Sequence, residues 1–264
     1  MKIATWNING VKARLDNVLT WLADAQPDVA CLQEIKSVDE GFPAGAFEDA
    51  GYNVAVHGQK SFNGVALLSR LPLEDVKRGL PGDETDEQAR YIEGVVMAGD
   101  RAVRVASIYL PNGNPLGTEK FTYKLAWLDR FERYARDLLL QEDCLVLAGD
   151  YNIIPEDEDT YSPDAWRGDA LFQPESRDAY KRLKNLGLTD AIRACDPNSK
   201  AYTFWDFQAG AWPKNNGIRI DHLLLSPQAA DRLSAAGIDK ATRGWEKPSD
   251  HVPVWITLDV ENAE

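Results

Sequence analysis

Six times along this chain a short apolar, strand-like run carries a polar side chain at its end: Asn7 (with Asn9), Glu34, Tyr109, Asp150 (with Asn152), Asp221, and the pair Asp250-His251. The clearest case is Cys144-Leu145-Val146-Leu147-Ala148-Gly149 followed by Asp150-Tyr151-Asn152. An apolar run of that length, bounded by Gly and acidic residues, reads as a strand buried on both faces whose end emerges at a surface. Alternation along a strand projects Asp150 and Asn152 together and turns Tyr151 away. Strand ends are where α/β folds place their chemistry. Asp-x-Asn after a strand is also ordinary turn chemistry, because both side chains bond readily to nearby backbone.

The rest of the chain alternates strands with a few helices. Residues 2–7 read as a first strand, followed by a helix with Val11, Leu15, Val18, Leu19 and Leu22 at helical spacing, then a second buried strand, 29–34. Short strands are predicted over 52–56, 64–69 and 74–78, and a hairpin over 90–97 and 102–109 about Gly99-Asp100. The longest helix spans 118–140, with Thr118 as N-cap and a stripe of Phe121, Leu125, Leu128, Phe131, Ala135 and Leu138. Further helices are expected over 176–187 and 227–235, with strands over 218–225 and from the 247–254 segment to Val260. No short repeat and no flexible linker interrupts the chain, so the expectation is one α/β domain of layered sheets over 1–264.

Composition bounds the function. A hydrophobic content of 44% supports a full core. No apolar stretch reaches the roughly 18 residues of a membrane span, and Met1-Lys2-Ile3-Ala4 starts as a strand without the apolar core of a signal peptide. Cys31, Cys144 and Cys195 are widely spaced, which fits reduced thiols and a cytoplasmic protein. The net charge of −13 opposes a nucleic-acid partner, whose phosphates call for Lys and Arg. The distribution is uneven, however. Glu156-Asp157-Glu158-Asp159 loads one loop, whereas positions 177–219 carry eight basic residues against four acids and could form a basic face.

Each polar strand end has an ordinary explanation as a turn former, a surface ion pair or a half-buried aromatic. One chemistry needs them all: metal-assisted hydrolysis of a phosphodiester. Carboxylates and amide oxygens suit a hard divalent cation such as Mg2+, while scattered cysteines and three histidines offer no zinc spacing. A carboxylate handles the attacking water, and a histidine held by an aspartate supplies a cation toward phosphate.

Seven motifs, in order, give the chain a resemblance to the bacterial exonuclease III family of abasic-site endonucleases, within the deoxyribonuclease-I-like superfamily. They are Thr5-Trp6-Asn7-Ile8-Asn9-Gly10, Leu32-Gln33-Glu34-Ile35-Lys36, Asn63-Gly64-Val65-Ala66-Leu67-Leu68-Ser69, Tyr109-Leu110-Pro111-Asn112-Gly113, Gly149-Asp150-Tyr151-Asn152-Ile153, Arg219-Ile220-Asp221-His222 and Pro248-Ser249-Asp250-His251-Val252-Pro253-Val254. The resemblance implies a four-layered α/β sandwich with two central mixed sheets flanked by helices. It implies Glu34 as principal metal ligand assisted by Asn7 and Asp250, and Asp150 orienting or deprotonating the water beside Asn152. Tyr109 would bond the phosphate or assist the leaving oxygen, and Asp221 would pair with His251. Mg2+ would be the cofactor, with Mn2+ as substitute. The partner would be double-stranded DNA bearing abasic sites or 3′ ends, with Lys36, Arg90, Lys120 and Asn112 as contacts. Phe204, Trp205, Ile218 and Ile220 match the family's small pocket for an extruded abasic sugar, which selects by excluding a nucleotide that retains its base. Ile218 stands where vertebrate relatives have Trp, and Asn9 where some relatives have an acid. A monomer suffices for all of this. The alternatives are a superfamily phosphatase or phosphodiesterase acting on inositol phosphates or phospholipids, and a DNA-binding scaffold without catalysis.

Overall fold

Alternation inside the apolar runs decides the architecture. Val103 and Val105 enter one core with Val146, Ala148, Leu223 and Leu225, while Ala106, Ile108, Leu145, Leu147 and Leu224 enter another. In the computed structural model, which describes residues 1–260, the elements run β1 (Lys2–Asn7), α1 (Val11–Ala25), β2 (Val29–Gln33), α2 (Ala44–Asp49), β3 (Asn53–His57), β4 (Val65–Ser69), β5 (Glu74–Arg78), β6 (Tyr91–Ala98) and β7 (Arg101–Tyr109). They continue with α3 (Glu119–Leu139), β8 (Cys144–Asp150), α4 (Pro163–Trp166), α5 (Pro174–Asn185), β9 (Thr189–Asp190), α6 (Ala191–Cys195), β10 (Asp221–Leu225), α7 (Pro227–Ala230), β11 (Leu233–Ile238) and β12 (Val254–Leu258).

The strands form two six-stranded sheets, ordered β11-β12-β1-β2-β4-β3 and β5-β6-β7-β8-β10-β9. Both are mixed, since β1 and β2 run parallel, as do β7 and β8, and the remaining pairs are antiparallel. The first core lies between the sheets. The second packs the β7-β8-β10 sheet against α3 and α5, and a third packs the β1-β2-β4 sheet against α1 and α2. These four layers match the sandwich expected from the sequence. Each fully buried Leu or Val contributes roughly 1.5–3 kcal/mol by leaving water.

One predicted element changes type. Residues 227–235 were expected as a helix, but only Pro227–Ala230 is helical, and Leu233–Ile238 becomes the edge strand β11. Alanines at 229, 230, 235 and 236 favour a helix locally. Pairing of 235–238 with β12 overrides that preference, and Gly237 leaves the space filled by the Trp255 ring, which a Cβ would meet at 2.4 Å.

Topology brings the polar ends to one edge. Parallel pairing aligns Tyr109 with Asp150, antiparallel pairing aligns Asp221 with Asp150, and Thr5 lies opposite Val254, just after His251. Gly149 makes this approach feasible, because a Cβ there would stand 2.0 Å from the Ile108 carbonyl oxygen. Below the edge a buried polar bridge joins the sheets. Gln33 Nε2 donates to Ser107 Oγ (2.9 Å) and Thr5 Oγ1 (2.9 Å), and Ser107 Oγ donates to the Leu32 carbonyl (3.0 Å). A satisfied buried network of this kind fixes one register between two otherwise greasy surfaces. Among the described residues, no helix is long and apolar enough to cross a membrane.

Candidate active site

Asn7, at the end of β1, lies at the centre of the site. Its Nδ2 donates to Glu34 Oε1 (3.0 Å) and Asp150 Oδ2 (2.9 Å), joining one carboxylate from each sheet. Its Oδ1 accepts the Asn9 amide N–H (3.1 Å). Glu34 follows β2 in the left-handed region, with φ of 48°. Asn152 takes the same conformation (φ 47°), which asparagine tolerates better than most residues. The Asn152 amide N–H donates to Asp150 Oδ1 (2.9 Å), and its side-chain Nδ2 donates to the Leu110 carbonyl (2.9 Å). The Asp-x-Asn segment is therefore both things the sequence allowed: an Asx turn, and a pair of polar groups on one side. Tyr151 points away into the helix-side core.

His251 is held from both sides. Its Nδ1 faces Asp221 Oδ2 at 2.9 Å and Oδ1 at 3.1 Å. Trp6 Nε1 and Ser249 Oγ pin the backbone here, bonding the His251 carbonyl (3.1 Å) and the Asn7 carbonyl (2.7 Å). Nε2 stands 3.7 Å from Asp150 Oδ2, too far for a hydrogen bond but close enough for one oxygen atom lying beside the pair to contact both.

The electrostatics divide the groups into cation, base and neutral donor. Burial alone would keep His251 neutral, but the charges of Asp221 and Asp150 raise its pKa to about 10 and make it an imidazolium. Burial pushes the Asp150 carboxyl up, aided by Asp221 and opposed by the His251 cation, Asn7 and the Asn152 amide. That is the direction a general base needs. Burial also works to raise Glu34, yet hydrogen bonds from Asn7 and Lys36, and the Lys36 and His251 charges, hold it below its ordinary value. Tyr109 is pushed well above the usual phenol range by burial and by the Glu34 and Asp150 charges, so it stays protonated.

The donor set fits a hard divalent cation. Lys36 Nζ already sits as a cation on Glu34 Oε2 (2.8 Å) and Asn9 Oδ1 (2.6 Å), which marks a place where oxygens converge on positive charge. Asn9 Nδ2 donates in turn to Asp250 Oδ1 (3.1 Å), so Asp250 joins the cluster through Asn9. Cys31 and Cys144 lie in the inter-sheet core, and both ring nitrogens of His251 face carboxylates. Among the described residues the compact group of possible ligand atoms is Asp150, Asp221 and His251, and with Glu34, Asn9 and Asp250 nearby the donors are mostly oxygens, the kind a hard divalent cation takes. Asn7 Oδ1 accepts one hydrogen bond, from the Asn9 amide, and keeps a second lone pair, while its amide nitrogen orients two carboxylates.

The expected DNA contacts divide. Arg90 lies 4.9 Å over the Tyr109 ring and donates to Gln88 Oε1 (2.7 Å). Asn112 Nδ2 donates to Asn152 Oδ1 (3.1 Å), and Lys120 is exposed on the first turn of α3. Phe204 stands edge-on to the His251 ring, centroids 5.0 Å apart, half-buried at the rim of an apolar cluster of Ile154, Leu171, Phe172, Ile218 and Ile220. Trp205 does not share that cluster. Neighbouring residues of an extended segment point opposite ways, so it packs with Tyr202, Ala211 and Val252, its Nε1 bonded to Asn215. Half of the basic residues in 177–219, the four arginines, are spent on ion pairs. Arg177 meets Asp157, Arg182 meets Glu132, and Arg193 and Arg219 both meet Asp159. Three of those arginines pair with the acidic loop, while Lys181, Lys184, Lys200 and Lys214 stay exposed.

The sequence pointed to Asn9 only as a companion of Asn7 standing where some relatives have an acid, gave no sign of Ser249 as a site member, and did not single out Lys124 or His222. Turn-forming Asn and Ser beside Asp250 were the available signals. His222 is buried between Arg219 Nη1 (3.0 Å from Nδ1) and the Ile153 carbonyl (3.1 Å from Nε2). Burial, helped by the Arg219 charge and opposed by Asp190, lowers its pKa to about 4. The unfolded ring titrates near 6.5, so between these values the unfolded chain binds a proton that the fold refuses. This group costs nothing above about pH 6.5, and stability falls by roughly 3 kcal/mol as pH drops from about 6.5 to about 4. Denaturant unfolding across that range measures the slope. An equal slope in His222→Asn would remove His222 as its source.

A family model described as the Endonuclease/Exonuclease/phosphatase family matches residues 4–251. The chain is 36% identical over 263 residues to "Exodeoxyribonuclease III" of Haemophilus influenzae, covering 97% of this chain and 98% of that protein. It superposes on an AP endonuclease from Archaeoglobus fulgidus with a TM-score of 0.93 at 37% identity, covering 98% of this chain and 100% of the other. It superposes on the Neisseria 3′ phosphatase NExo, bound to a product DNA hairpin, with a TM-score of 0.94 at 39% identity, covering 98% and 99%.

Proposed function

The chain belongs to the endonuclease/exonuclease/phosphatase family, and we propose that within it this protein is a DNA-repair nuclease. It cuts the phosphodiester bond 5′ to abasic sites and removes nucleotides or blocking groups from 3′ ends of duplex DNA, acting as a Mg2+-dependent monomer. The named activities of its relatives support the nuclease reading. The observation that carries the mechanism is the approach of His251 Nε2 to Asp150 Oδ2 at 3.7 Å, a buried cation and a buried carboxylate that one reacting oxygen lying beside them can contact together.

Each residue then has a task. Asp150 accepts a proton from the water that attacks phosphorus, helped by the upward push on its pKa. Asn7 and the Asn152 amide fix the carboxylate's direction. His251, kept charged by Asp221, donates Nε2–H to a non-bridging phosphate oxygen as negative charge builds there. Tyr109, held protonated, gives a hydrogen bond or its proton to the departing 3′ oxygen. Glu34, with Asp250 through Asn9, would hold the divalent cation. When bound, that ion neutralises charge on the phosphate and the leaving oxygen. A P–O bond forms to the water oxygen, the P–O3′ bond breaks, and the products are a 3′-hydroxyl and a 5′-phosphate. Phe204 and the Ile218–Ile220 cluster would form the wall against a deoxyribose without its base.

Strand cleavage of 3′-recessed and abasic duplexes, with Mg2+ or with EDTA, tests this. Cutting in Mg2+ and its loss in EDTA are expected. An abasic duplex that is bound but uncut would overturn the reading, and faster hydrolysis of phosphoinositides than of DNA would replace it.

A further inference from the structure

Lys124 is a charged residue in a place that normally takes an apolar one. On α3 the buried side chains are Lys124, Trp127, Leu128, Phe131, Ala135 and Leu138, apart from the ion-paired Arg130, so Lys124 occupies the first core position of the stripe. It is 0% exposed, and among the described residues it makes no ion pair. Its Nζ donates instead to two backbone carbonyls, of Asn112 (3.1 Å) and of Asn152 (2.5 Å). Burying a lysine costs free energy that two neutral acceptors only partly return. A core built for stability alone would place a methionine or leucine here.

The two carbonyls belong to the asparagines that bond each other, Asn112 Nδ2 to Asn152 Oδ1. Asn152 holds a left-handed backbone, and its amide N–H orients Asp150. The turn carrying Asn112 lies directly on the lysine stem, since a Cβ on Gly113 would meet Lys124 Cδ at 2.7 Å. One side chain thus fixes the height of the 110–114 loop and the strained turn of Asn152 against each other, immediately behind the water-handling carboxylate.

We propose that Lys124 is a positioning residue: its ammonium ties Asn112 and Asn152 together from below and thereby aims Asp150. The role rests on the nuclease reading above. Burial lowers the lysine's pKa to about 7 against the opposing charges of Asp150 and Asp169, which is consistent with a group retained for its donors and not for a salt bridge.

Steady-state cleavage of an abasic duplex by Lys124→Met, Lys124→Gln, Asn152→Ala and Lys124→Met/Asn152→Ala tests it. Lys124→Met is expected to lower kcat about tenfold with KM within about twofold, because a small misplacement of the base costs turnover and not binding. Lys124→Gln, which keeps an N–H donor, falls between Met and wild type. In the Asn152→Ala background, which keeps the backbone carbonyl that Lys124 bonds and the amide N–H that orients Asp150, the Lys124→Met loss in kcat persists at about tenfold. A folded Lys124→Met protein with wild-type kcat would overturn the proposal. So would a Lys124→Met loss that disappears in the Asn152→Ala background, or an equal loss in kcat and affinity. If neither the Met nor the Gln variant folds, Lys124 is a core residue and the positioning role is withdrawn. An inactive wild type would sink the nuclease reading, and this role with it, whereas an active wild type with an unaffected Met variant sinks only Lys124.

Discussion

Asp150→Asn lowers the single-turnover rate on an abasic duplex by about 10³–10⁴-fold, the usual worth of a positioned general base together with the orientation it provides. An amide has no proton affinity to offer the attacking water. It would also turn either its NH2 or its oxygen toward Asn7 Nδ2 and the Asn152 amide N–H, both of which now donate into carboxylate oxygens. DNA binding is expected to persist, because the change removes a negative charge from beside the reacting phosphate. Thermal stability is expected to hold. The raised pKa of Asp150 means that its ionised form is worth less in the fold than in the unfolded chain, so the carboxylate costs stability above its unfolded pKa, and a neutral isostere removes that cost. Against this, His251 loses one of the carboxylates that keep it charged, although Asp221 remains. Rate, binding and melting are measured on one preparation. A rate within about tenfold of wild type would remove Asp150 from the chemistry.

Asp159→Ala has the largest expected effect on stability. Asp159 is 0% exposed, with Oδ1 on Arg219 Nε (2.7 Å) and on Arg193, and Oδ2 on Arg219 Nη2 (3.1 Å). Arg219 itself is 1% exposed, and its remaining partners are Asp190 (2.8 Å) and His222. Removing one member of a buried ionic group leaves the other charge uncompensated, at about 3–5 kcal/mol. For a chain of this size that lowers the melting temperature by about 10 °C. Arg193 is partly exposed and can turn to solvent, so the loss comes mainly from Arg219. Calorimetry reads the shift, and a loss below about 1 kcal/mol would mean that Asp190 alone satisfies the guanidinium. Because Arg219 and Asp221 sit two residues apart at the head of β10, the same variant also tests how firmly the His251 partner is anchored.

The sequence made the strand ends legible because each combines a strong pattern with a break in it. Apolar runs such as 144–149 announce burial, and a carboxylate or asparagine at the end contradicts it. The long helix was equally plain, down to Thr118, whose Oγ1 accepts the Lys120 amide N–H. What escaped was decided by partners far along the chain. Nothing local distinguishes Leu233–Ile238 from helix until β12 is beside it. A lysine in an amphipathic helix reads as solvated, and only the 110–114 loop lying across its stem buries Lys124. Arg219, counted as a unit of basic surface, is neutralised by Asp159, sixty residues earlier in the chain. Phe204 and Trp205 are adjacent in sequence but enter different clusters, and that division depends on which side of the segment His251 occupies.

The path of the chain through its two sheets bears on when the molecule becomes active. One sheet is made from residues 2–69 and 233–258, the other from the stretch between, and the bonds joining Asn7 to Asp150 and Asp221 to His251 both cross from one sheet to the other. In chain order Glu34 precedes Asp150, and His251 follows both. A growing chain therefore carries Glu34 and Asp150 for a long interval without His251 and the strand that follows it. A product of interrupted translation holds an incomplete set, and so does a fragment carrying either sheet by itself. The proposed catalytic set is therefore complete only when residues of both sheets, His251 among them, have folded together.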